Sequence, residues 1–247
     1  MFEISDPIQY RAGIQELRRG CPSPKAMMSF RDADLVEGVL LGAFASGPAA
    51  GSAAGTPRPP QILEWGCGLS TLYYTRALAE HGEFRWVTLE YDRAFFEQRV
   101  APYLGLWSDV QVVKVSSAAD VEAAVSDGLP PRGVVALVFD AGSLTPAQNE
   151  PDRYADLDAY VDAPARLGTP FDVVMVDGRK RRRCLIEASR LVAADGAVLL
   201  HDAHRAYYHG AFAEFAQSHR IGDDLWIGGH AGAELGRFVP ADELTAK

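Results

Sequence analysis

Four acidic side chains stand at or beside the ends of apolar stretches, and they are well suited to bind a ligand or move a proton. Carboxylates accept hydrogen bonds from amino groups and hydroxyls, hold cations and take up protons. If the apolar stretches are parallel strands, their carboxyl ends meet at one edge of a sheet, where ligands bind. The four acids are Glu64, Glu90, Asp177 and Asp202.

The segment after Glu64 indicates which ligand this edge would take. Gly66 and Gly68 would let the backbone approach a ligand closely, and a helix that begins at Ser70 would offer free N–H groups. A tight turn accounts for Gly-x-Gly, but it does not account for the acid before it. A carboxylate at Glu64 would repel a pyrophosphate and would accept hydrogen bonds from an amino group. Glu90, 26 positions later, is placed to accept both hydroxyls of a ribose, so the pair favours a ligand with an amino-acid end and an adenosine end.

Short apolar runs alternate with helical segments from residue 61 onward. This alternation is typical of an α/β domain with a doubly wound, mostly parallel sheet that helices cover on both faces. Residues 1–46 predict a helical N-terminal extension, residues 47–60 a flexible loop of Gly, Ala and Pro, and residues 61–247 the ligand-binding domain. Predicted strands span 61–65, 85–90, 110–115, 133–139, 171–176 and 197–201, with short closing strands at 225–227 and 237–239. Predicted helices span 70–80, 93–104, 154–166, 180–194 and 210–218.

Composition and charge argue against several classes of protein. A chain of 247 residues with 48% apolar and 23% charged residues suits one soluble globular domain. A net charge of -9 argues against general binding to nucleic acid or anionic membranes, and no run reaches the roughly 18 apolar residues of a membrane span. The N-terminus has early acids and no apolar signal segment, and the three cysteines are widely separated, so we expect a reduced, cytoplasmic protein. A monomer and a homodimer both fit the sequence.

Four motifs, in order, resemble those of class I S-adenosylmethionine-dependent methyltransferases. EWGCGLS (64–70) resembles their acid-x-Gly-x-Gly-x-Gly motif, with Ser70 at the third glycine, and Glu90 resembles their ribose-binding acid. FDVVMVDG (171–178) and GAVLLHD (196–202) resemble their fourth and fifth strand motifs. The likeness covers about residues 60–205 and implies a Rossmann-like methyltransferase fold, S-adenosylmethionine as cofactor and a small-molecule acceptor methylated at oxygen. The cofactor contacts that we expect are Glu64, Gly66, Cys67, Gly68, Ser70, Thr71, Glu90, Tyr91, Ser117 and Asp177.

Candidate catalytic groups cluster after the strands predicted at 171–176 and 197–201. Methyl transfer from a sulfonium needs a nucleophile held in line, and often a base that takes its proton. A histidine that a carboxylate orients suits proton removal from a hydroxyl. In metal-dependent O-methyltransferases of this fold, acids at the places of Asp177 and Asp202 hold a divalent cation, and Ala203 departs from that pattern. We expect a reaction without metal, with Asp177 and Asp202 as the ligands if a metal takes part. The candidates are Asp177, Arg179, His201, Asp202 and His204.

The basic run RKRRR (179–183) opens a predicted helix, where the helix dipole disfavours cations. Either Asp177 and Asp202 or an anionic group on the acceptor would offset these charges. We expect Arg179 to lie nearest the site and to hold a carboxylate or phosphate of the acceptor, with some of the later arginines at the solvent. A solvated helix face is the alternative interpretation of the run.

Three other functions stay open from the sequence. A nicotinamide-dependent oxidoreductase would use the same strand, turn and helix, but its Gly-x-Gly-x-x-Gly spacing meets Thr71 at the third position. A non-catalytic nucleoside-binding module would keep the fold, although the four acids favour an enzyme. An aminopropyltransferase shares the fold as well, but no further cluster of acids suits a polyamine.

Overall fold

An eight-stranded sheet forms the centre of the computed structural model, which describes residues 3–21, 23, 25–45, 58–142, 144, 155–168 and 170–245. The strands lie in the order β3-β4-β2-β1-β5-β6-β8-β7. Neighbouring strands are parallel except for the two pairs that β8 makes with β6 and β7. The predicted α/β class with a mostly parallel sheet is therefore confirmed. The strands are β1 Gln61–Trp65, β2 Arg85–Glu90, β3 Val110–Val115, β4 Gly133–Phe139, β5 Phe171–Val176, β6 Val192–His201, β7 Gln217–Ile221 and β8 Leu225–Gly229.

Helices cover both faces of the sheet, as expected for parallel strands that are buried on both sides. They are α1 Pro7–Leu17, α2 Phe30–Ala45, α3 Leu69–Ala79, α4 Arg93–Phe95, a π-helical turn Phe96–Val100, α5 Ala101–Leu104, α6 Ala118–Ser126, α7 Asp158–Asp162, α8 Arg181–Leu191 and α9 Ala241–Thr245. Segments of 3-10 helix span Ala163–Leu167, Ala206–Glu214 and Leu235–Arg237. Within the described ranges, no helix has the length and apolar character that crossing a membrane requires.

Two hydrophobic cores lie on the two faces of the sheet. The first packs against α1, α2, α3 and α5, and the second packs against α6, α7 and α8. Adjacent residues of one strand alternate between them, so that Ile62 belongs to the first core and Leu63 to the second. Both side chains are fully buried, which explains why the strand is a continuous apolar run in the sequence.

The two N-terminal helices share the first core with the sheet. Tyr10 of α1 is fully buried, and its Oη donates to the carbonyl of Leu72 in α3 at 2.6 Å. Tyr74 of α3 donates in turn to the carbonyl of Ala33 in α2 at 3.0 Å. The division of the chain at residues 46 and 61 stays a prediction, and most of the loop predicted over 47–60 lies outside the described residues.

The C-terminal part departs from the expectations in two places. The helix predicted over 210–218 is confirmed only in part: Ala206–Glu214 form a 3-10 helix, and the predicted end is wrong because Gln217–Ile221 form β7. β7 and β8 form a hairpin whose tight reversal includes Gly222 at a φ of +59°, and their ladder of hydrogen bonds outweighs the helical pattern. The strand predicted at 237–239 is also wrong, because Leu235–Arg237 form a 3-10 turn whose local hydrogen bonds replace those of a ladder.

Strand β4 lies between β2 and β3 and moves β3 to the edge of the sheet. All of β4 is buried, so it needs a neighbour on each side, whereas β3 is partly exposed and carries the polar residues Gln111 and Lys114. The residues that follow β3 therefore lie one strand farther from β1 than a direct pairing of β2 with β3 would place them.

Candidate functional site

A cavity of about 510 Å³ opens at the carboxyl ends of β1, β2 and β5, where the strand order reverses. Its lining comprises residues 66–70, 90–92 and 177–179 with Arg181, and a rim of Leu17, Met27, Phe95 and Arg99. The cavity brings together seven of the predicted cofactor residues, namely Gly66, Cys67, Gly68, Ser70, Glu90, Tyr91 and Asp177. Glu64, Thr71 and Ser117 lie outside the lining.

The two glycines after β1 serve different purposes. Gly66 has a φ of +105°, and a Cβ there would lie 2.8 Å from the backbone of Gly178, so the close approach of the two turns requires glycine. This approach is held by the N–H of Asp177, which donates to the carbonyl of Trp65 at 3.0 Å. A Cβ on Gly68 would meet no protein atom within 4 Å. Protein packing therefore does not demand a glycine at Gly68, which lines the cavity.

Glu64 contacts the start of α3, next to the turn between β1 and α3, and is not among the residues that line the cavity. Its carboxylate is fully buried and accepts hydrogen bonds from Ser70 Oγ at 2.6 Å, Thr71 Oγ1 at 2.6 Å, Trp86 Nε1 at 3.0 Å and Thr88 Oγ1 at 2.9 Å. These donors occupy about four lone-pair positions, which is the capacity of a carboxylate. Burial raises the pKa of Glu64 to about 7, although the four donors oppose the rise. Glu64 thus fixes the start of α3 to β2, and its burial disfavours the predicted contact with a ligand amino group.

Glu90 is the acid that faces the cavity from the end of β2. One carboxylate oxygen accepts the N–H of Asp92 at 2.9 Å, and the other accepts the N–H of Cys67 at 3.3 Å. Burial raises the pKa of Glu90 to about 7, and these backbone donors counteract part of that rise. The carboxylate thus ties the glycine turn to β2 and keeps lone pairs for donors in the cavity.

Arg179 and Tyr91 meet across the cavity wall. Arg179 Nε lies 3.5 Å from Tyr91 Oη, and the guanidinium carbon lies 5.8 Å from the centre of the Tyr91 ring. Among the described residues, no carboxylate forms an ion pair with Arg179. Three other arginines of the run have partners: Arg181 pairs with Asp177 and Asp202, Arg182 stacks on Tyr207, and Arg183 pairs with Asp158 and Asp162.

Arg181 links the ends of β5 and β6 and is largely buried, so the expectation of a solvated position does not apply to it. Its side chain is 13% exposed. The guanidinium forms ion pairs with Asp177 Oδ1 and Asp202 Oδ2, at 3.0 Å each. It also donates to the carbonyl oxygens of Asp177, Gly178 and His201 at 3.0, 3.0 and 2.6 Å.

A metal site at Asp177 and Asp202, the ligands that we expect if a metal takes part, does not fit this arrangement. The positive guanidinium of Arg181 already lies within 3.0 Å of an oxygen of each carboxylate, where the metal would have to bind. A divalent cation beside it would meet like charge at short range. We therefore derive no step through a metal.

A second group of possible ligands lies nearby but is engaged as well. Single ligand atoms of His201, Asp202 and Asp224 lie within 4.8 Å of one another. Asp202 pairs with Arg205 at 2.8 Å as well as with Arg181, and Asp224 Oδ2 lies 2.5 Å from Nδ1 of His204. His204, which is 60% exposed, lies outside the cavity lining and contacts this group through Asp224.

His201 and Asp177 form a pair at the ends of β6 and β5, in which Asp177 lines the cavity and His201 lies outside the lining. His201 Nδ1 lies 3.0 Å from Asp177 Oδ1, and Asp177 lines the cavity. Burial lowers the pKa of His201, but the hydrogen bond and the charge of Asp177 outweigh it and raise the pKa above its ordinary value. Burial likewise raises the pKa of Asp177, yet the charge of Arg181 and the contact with His201 hold it below its ordinary value. The pair is a carboxylate that orients an imidazole, which is an arrangement for proton transfer.

Ser117 lies at the start of α6, beyond the edge strand β3, and is exposed. Its N–H and hydroxyl both contact the carboxylate of Asp120, at 2.7 and 3.3 Å, as a helix cap. The insertion of β4 explains why Ser117 does not reach the cavity.

The rim contains residues that the sequence motifs did not indicate. Leu17 and Met27 come from the N-terminal segment, and Phe95 and Arg99 come from the helical turns after β2. Phe95 and Arg99 are four positions apart, which places them on one face of a helix. The four-residue spacing of Phe95 and Arg99, shortly after Glu90, is the sequence feature that could have indicated that both lie at the site.

Comparisons with known proteins report likeness of fold only. No protein-family profile matches the chain, and no curated protein matches it in sequence. A methyltransferase-like protein from Silicibacter pomeroyi is 18% identical, with 88% of this chain and 92% of that chain covered and a TM-score of 0.45. Cofactor-bound Rv0187 from MTB is 16% identical, with 93% and 94% covered and a TM-score of 0.46. The MycE methyltransferase of mycinamycin biosynthesis, solved with Mg and SAH, is 12% identical, with 93% and 57% covered and a TM-score of 0.43. Likeness at this level assigns no activity to this chain.

Proposed function

We propose that this protein is an S-adenosylmethionine-dependent methyltransferase that methylates a small-molecule acceptor at oxygen. The observation that supports the proposal most directly is the carboxylate of Glu90 on the cavity wall. Two backbone N–H groups hold it in place, and it keeps lone pairs for further donors. A ribose presents two neighbouring hydroxyls, and one carboxylate can accept hydrogen bonds from both.

The turn between β1 and α3 suits an amino-acid end better than a pyrophosphate. The N–H of Gly68 donates to Thr71 Oγ1 at 3.0 Å, and the N–H of Cys67 donates to Glu90, so two groups that would bind a phosphate are engaged. Glu90 and Asp177 both line the cavity. Their charges repel a diphosphate and attract a sulfonium or an ammonium group. This distribution disfavours the nicotinamide-dependent alternative.

The pair of Asp177 and His201 supplies the base in this proposal. When bound, the cofactor would supply an electrophilic methyl group, whose bond to sulfur would break as the acceptor oxygen bonds to the methyl carbon. The hydroxyl proton of the acceptor passes to His201 at Nε2, the ring nitrogen that does not face Asp177. The carboxylate of Asp177 stabilises the imidazolium that forms. Arg181 already neutralises part of the charge of Asp177, so the proposal requires no metal.

Arg179 and the rim indicate the chemical class of the acceptor. Since no carboxylate of the described residues pairs with Arg179, its guanidinium is available to a carboxylate, a phosphate or another oxygen-rich group. Leu17, Met27 and Phe95 make part of the rim apolar, and the last two are 65% and 37% exposed. An apolar ring or chain that carries an anion fits both features. With a net charge of -9, we propose a small molecule and not a nucleic acid.

Calorimetric titration with S-adenosylhomocysteine and with NAD tests the proposal. We expect micromolar binding of S-adenosylhomocysteine and no binding of NAD. Glu90→Ala should weaken the binding by about 1.5–3 kcal/mol, because hydrogen bonds to a charged acceptor are lost. The control is Glu214→Ala, which removes an exposed acid outside the cavity lining and should bind as wild type does. Binding of NAD, or an unchanged affinity in Glu90→Ala, would refute the proposal.

A further inference from the structure

Five oxygen atoms surround the guanidinium of Arg181 at the ends of β5 and β6. Two are the carboxylate oxygens of Asp177 and Asp202, and three are the main-chain oxygens of Asp177, Gly178 and His201. All five lie between 2.6 and 3.0 Å from a guanidinium nitrogen. Carboxylate and carbonyl oxygens in such a number are the ligands that hard divalent cations take in proteins.

We propose that Arg181 is a built-in cation, which stands in this protein where a divalent metal ion would otherwise bind and which positions the pair of Asp177 and His201. The catalytic part of this inference rests on the methyltransferase function proposed above. The part that concerns cation binding does not depend on it. Arg181 is thus a positioning residue whose charge replaces a metal at this edge of the sheet.

The local backbone explains how the side chain reaches this place. Arg181 is the first residue of α8 and lies four positions after Asp177. Lys180, directly before it, has a φ of +54°, a left-handed conformation that turns the chain sharply between β5 and α8. Because of this turn, Arg181 extends toward the ends of β5 and β6 and not into solvent. A guanidinium can span both carboxylates, since its nitrogens form a rigid planar fork.

The contact with Asp177 connects Arg181 to the candidate base. Asp177 Oδ1 lies 3.0 Å from Arg181 Nη2 and also 3.0 Å from His201 Nδ1, so one oxygen contacts both the guanidinium and the imidazole. Removing the guanidinium frees this oxygen to rotate and leaves Asp177 and Asp202 without the cation between them. Arg205 still pairs with Asp202, but the Arg205 side chain is 45% exposed, so solvent screens its charge. The vacated space then has two carboxylates and three carbonyl oxygens around it, which suits a hard ion.

Titration with Mn²⁺ tests the cation-binding part without any assay of activity. We expect wild type to bind no Mn²⁺ at this site in calorimetry, and Arg181→Ala to bind one Mn²⁺ per chain. A second change, Asp202→Asn, should abolish the Mn²⁺ binding of Arg181→Ala. The matched control is Arg205→Ala, which removes the other arginine from the same carboxylate but leaves Arg181 in place, and it should bind no Mn²⁺. Wild-type binding of Mn²⁺ that Asp202→Asn abolishes would overturn the proposal, as would a folded Arg181→Ala that binds none.

Arg181→Lys provides a second test if Arg181→Ala does not fold. It keeps one positive charge, but a point charge on a flexible stem cannot span both carboxylates. We therefore expect a soluble protein that still excludes Mn²⁺ and has lost about 10- to 100-fold in turnover, the usual effect of losing an orienting partner. Turnover equal to that of wild type would overturn the positioning role.

Rescue of turnover by Mn²⁺ separates positioning from a purely structural role. We expect added Mn²⁺ to restore part of the turnover that Arg181→Gln loses, because a cation then lies again between Asp177 and Asp202. Turnover that stays unchanged although Mn²⁺ binds would refute the role. If S-adenosylhomocysteine does not bind to wild type, the proposed methyltransferase function is refuted. The Mn²⁺ titrations still test whether Arg181 takes the place of a metal ion.

Discussion

Replacing Glu64 with Gln should change how the stability of this protein depends on pH. Burial raises the pKa of Glu64 to about 7 from an ordinary value of 4.5. The folded protein then binds this proton more tightly than the unfolded chain does. Its contribution to stability is fully present below about 4.5 and is lost as the pH rises through about 7. Gln is neutral at every pH and mimics the protonated acid, so the variant lacks this dependence.

The structure fixes the size of the effect. One pKa unit corresponds to about 1.36 kcal/mol, so ionisation of Glu64 costs the folded state about 3 kcal/mol, of which about 2 kcal/mol falls between pH 5 and pH 8. The amide oxygen of Gln takes the place of the oxygen of Glu64 that accepts from Thr71, Trp86 and Thr88, and its two lone pairs can serve two of these donors. Its NH₂ group can donate to the hydroxyl of Ser70, which rotates to accept. The variant therefore keeps most of these contacts.

Urea unfolding of wild type and Glu64→Gln at about pH 5 and pH 8 measures the prediction. We expect the difference in unfolding free energy to shift by about 2 kcal/mol in favour of the variant at the higher pH. The comparison cancels the contributions of Glu90 and Asp177, whose pKa values also change on folding. Glu122→Gln, at a 63% exposed side chain, is the control and should show no such shift. A stability difference that is the same at both pH values would refute the reasoning about burial of Glu64.

The remaining predictions concern the glycine turn and the acceptor. Gly66→Ala should lose about 2–3 kcal/mol of unfolding free energy in urea, because its φ is +105° and a Cβ would lie 2.8 Å from the backbone of Gly178. Gly68→Ala is the matched control and should keep its stability but bind S-adenosylhomocysteine more weakly in calorimetry; equal losses of stability would contradict the distinction. Arg179→Lys should raise the Michaelis constant for an anionic acceptor about tenfold, since lysine cannot hold a carboxylate with two hydrogen bonds. Its affinity for S-adenosylhomocysteine should not change, and wild-type kinetics would mean that Arg179 belongs to a solvated face.

The central strands could be predicted because a strand buried on both faces is a nearly continuous apolar run, as in GVVALVF of β4 and FDVVMV of β5. The order of the strands could not be predicted in the same way. β2, β4 and β5 have similar local patterns, and tertiary packing decides which of them become neighbours. The position of Ser117 depends on that order, because β4 lies between β2 and β3 and places the end of β3 at the edge of the sheet, so the contact expected from the family resemblance puts Ser117 too close to the site.

The site could be predicted where a backbone requirement leaves a trace in the sequence. Gly66 and Glu90 lie where their motifs indicate, since a close approach requires glycine and the end of a strand exposes a carboxylate. The role of Glu64 depended on Thr88, which stands opposite it only because of the register between β1 and β2. Arg181 resembles its neighbours in a basic run, and the four-residue spacing from Asp177 was its only local signal.

The opposite pKa changes of Glu64 and Asp177 explain why the cation beside Asp177 matters for chemistry. Neutral donors surround Glu64, so burial prevails and its pKa rises to about 7. Burial also raises the pKa of Asp177, but the charges of Arg181 and His201 prevail and hold it below its ordinary value. Environments that separate the pKa values of two acids separate their roles. An acid that carried a proton near neutral pH could not stabilise an imidazolium, so Asp177 can support His201 as a base only while a fixed positive charge keeps it ionised.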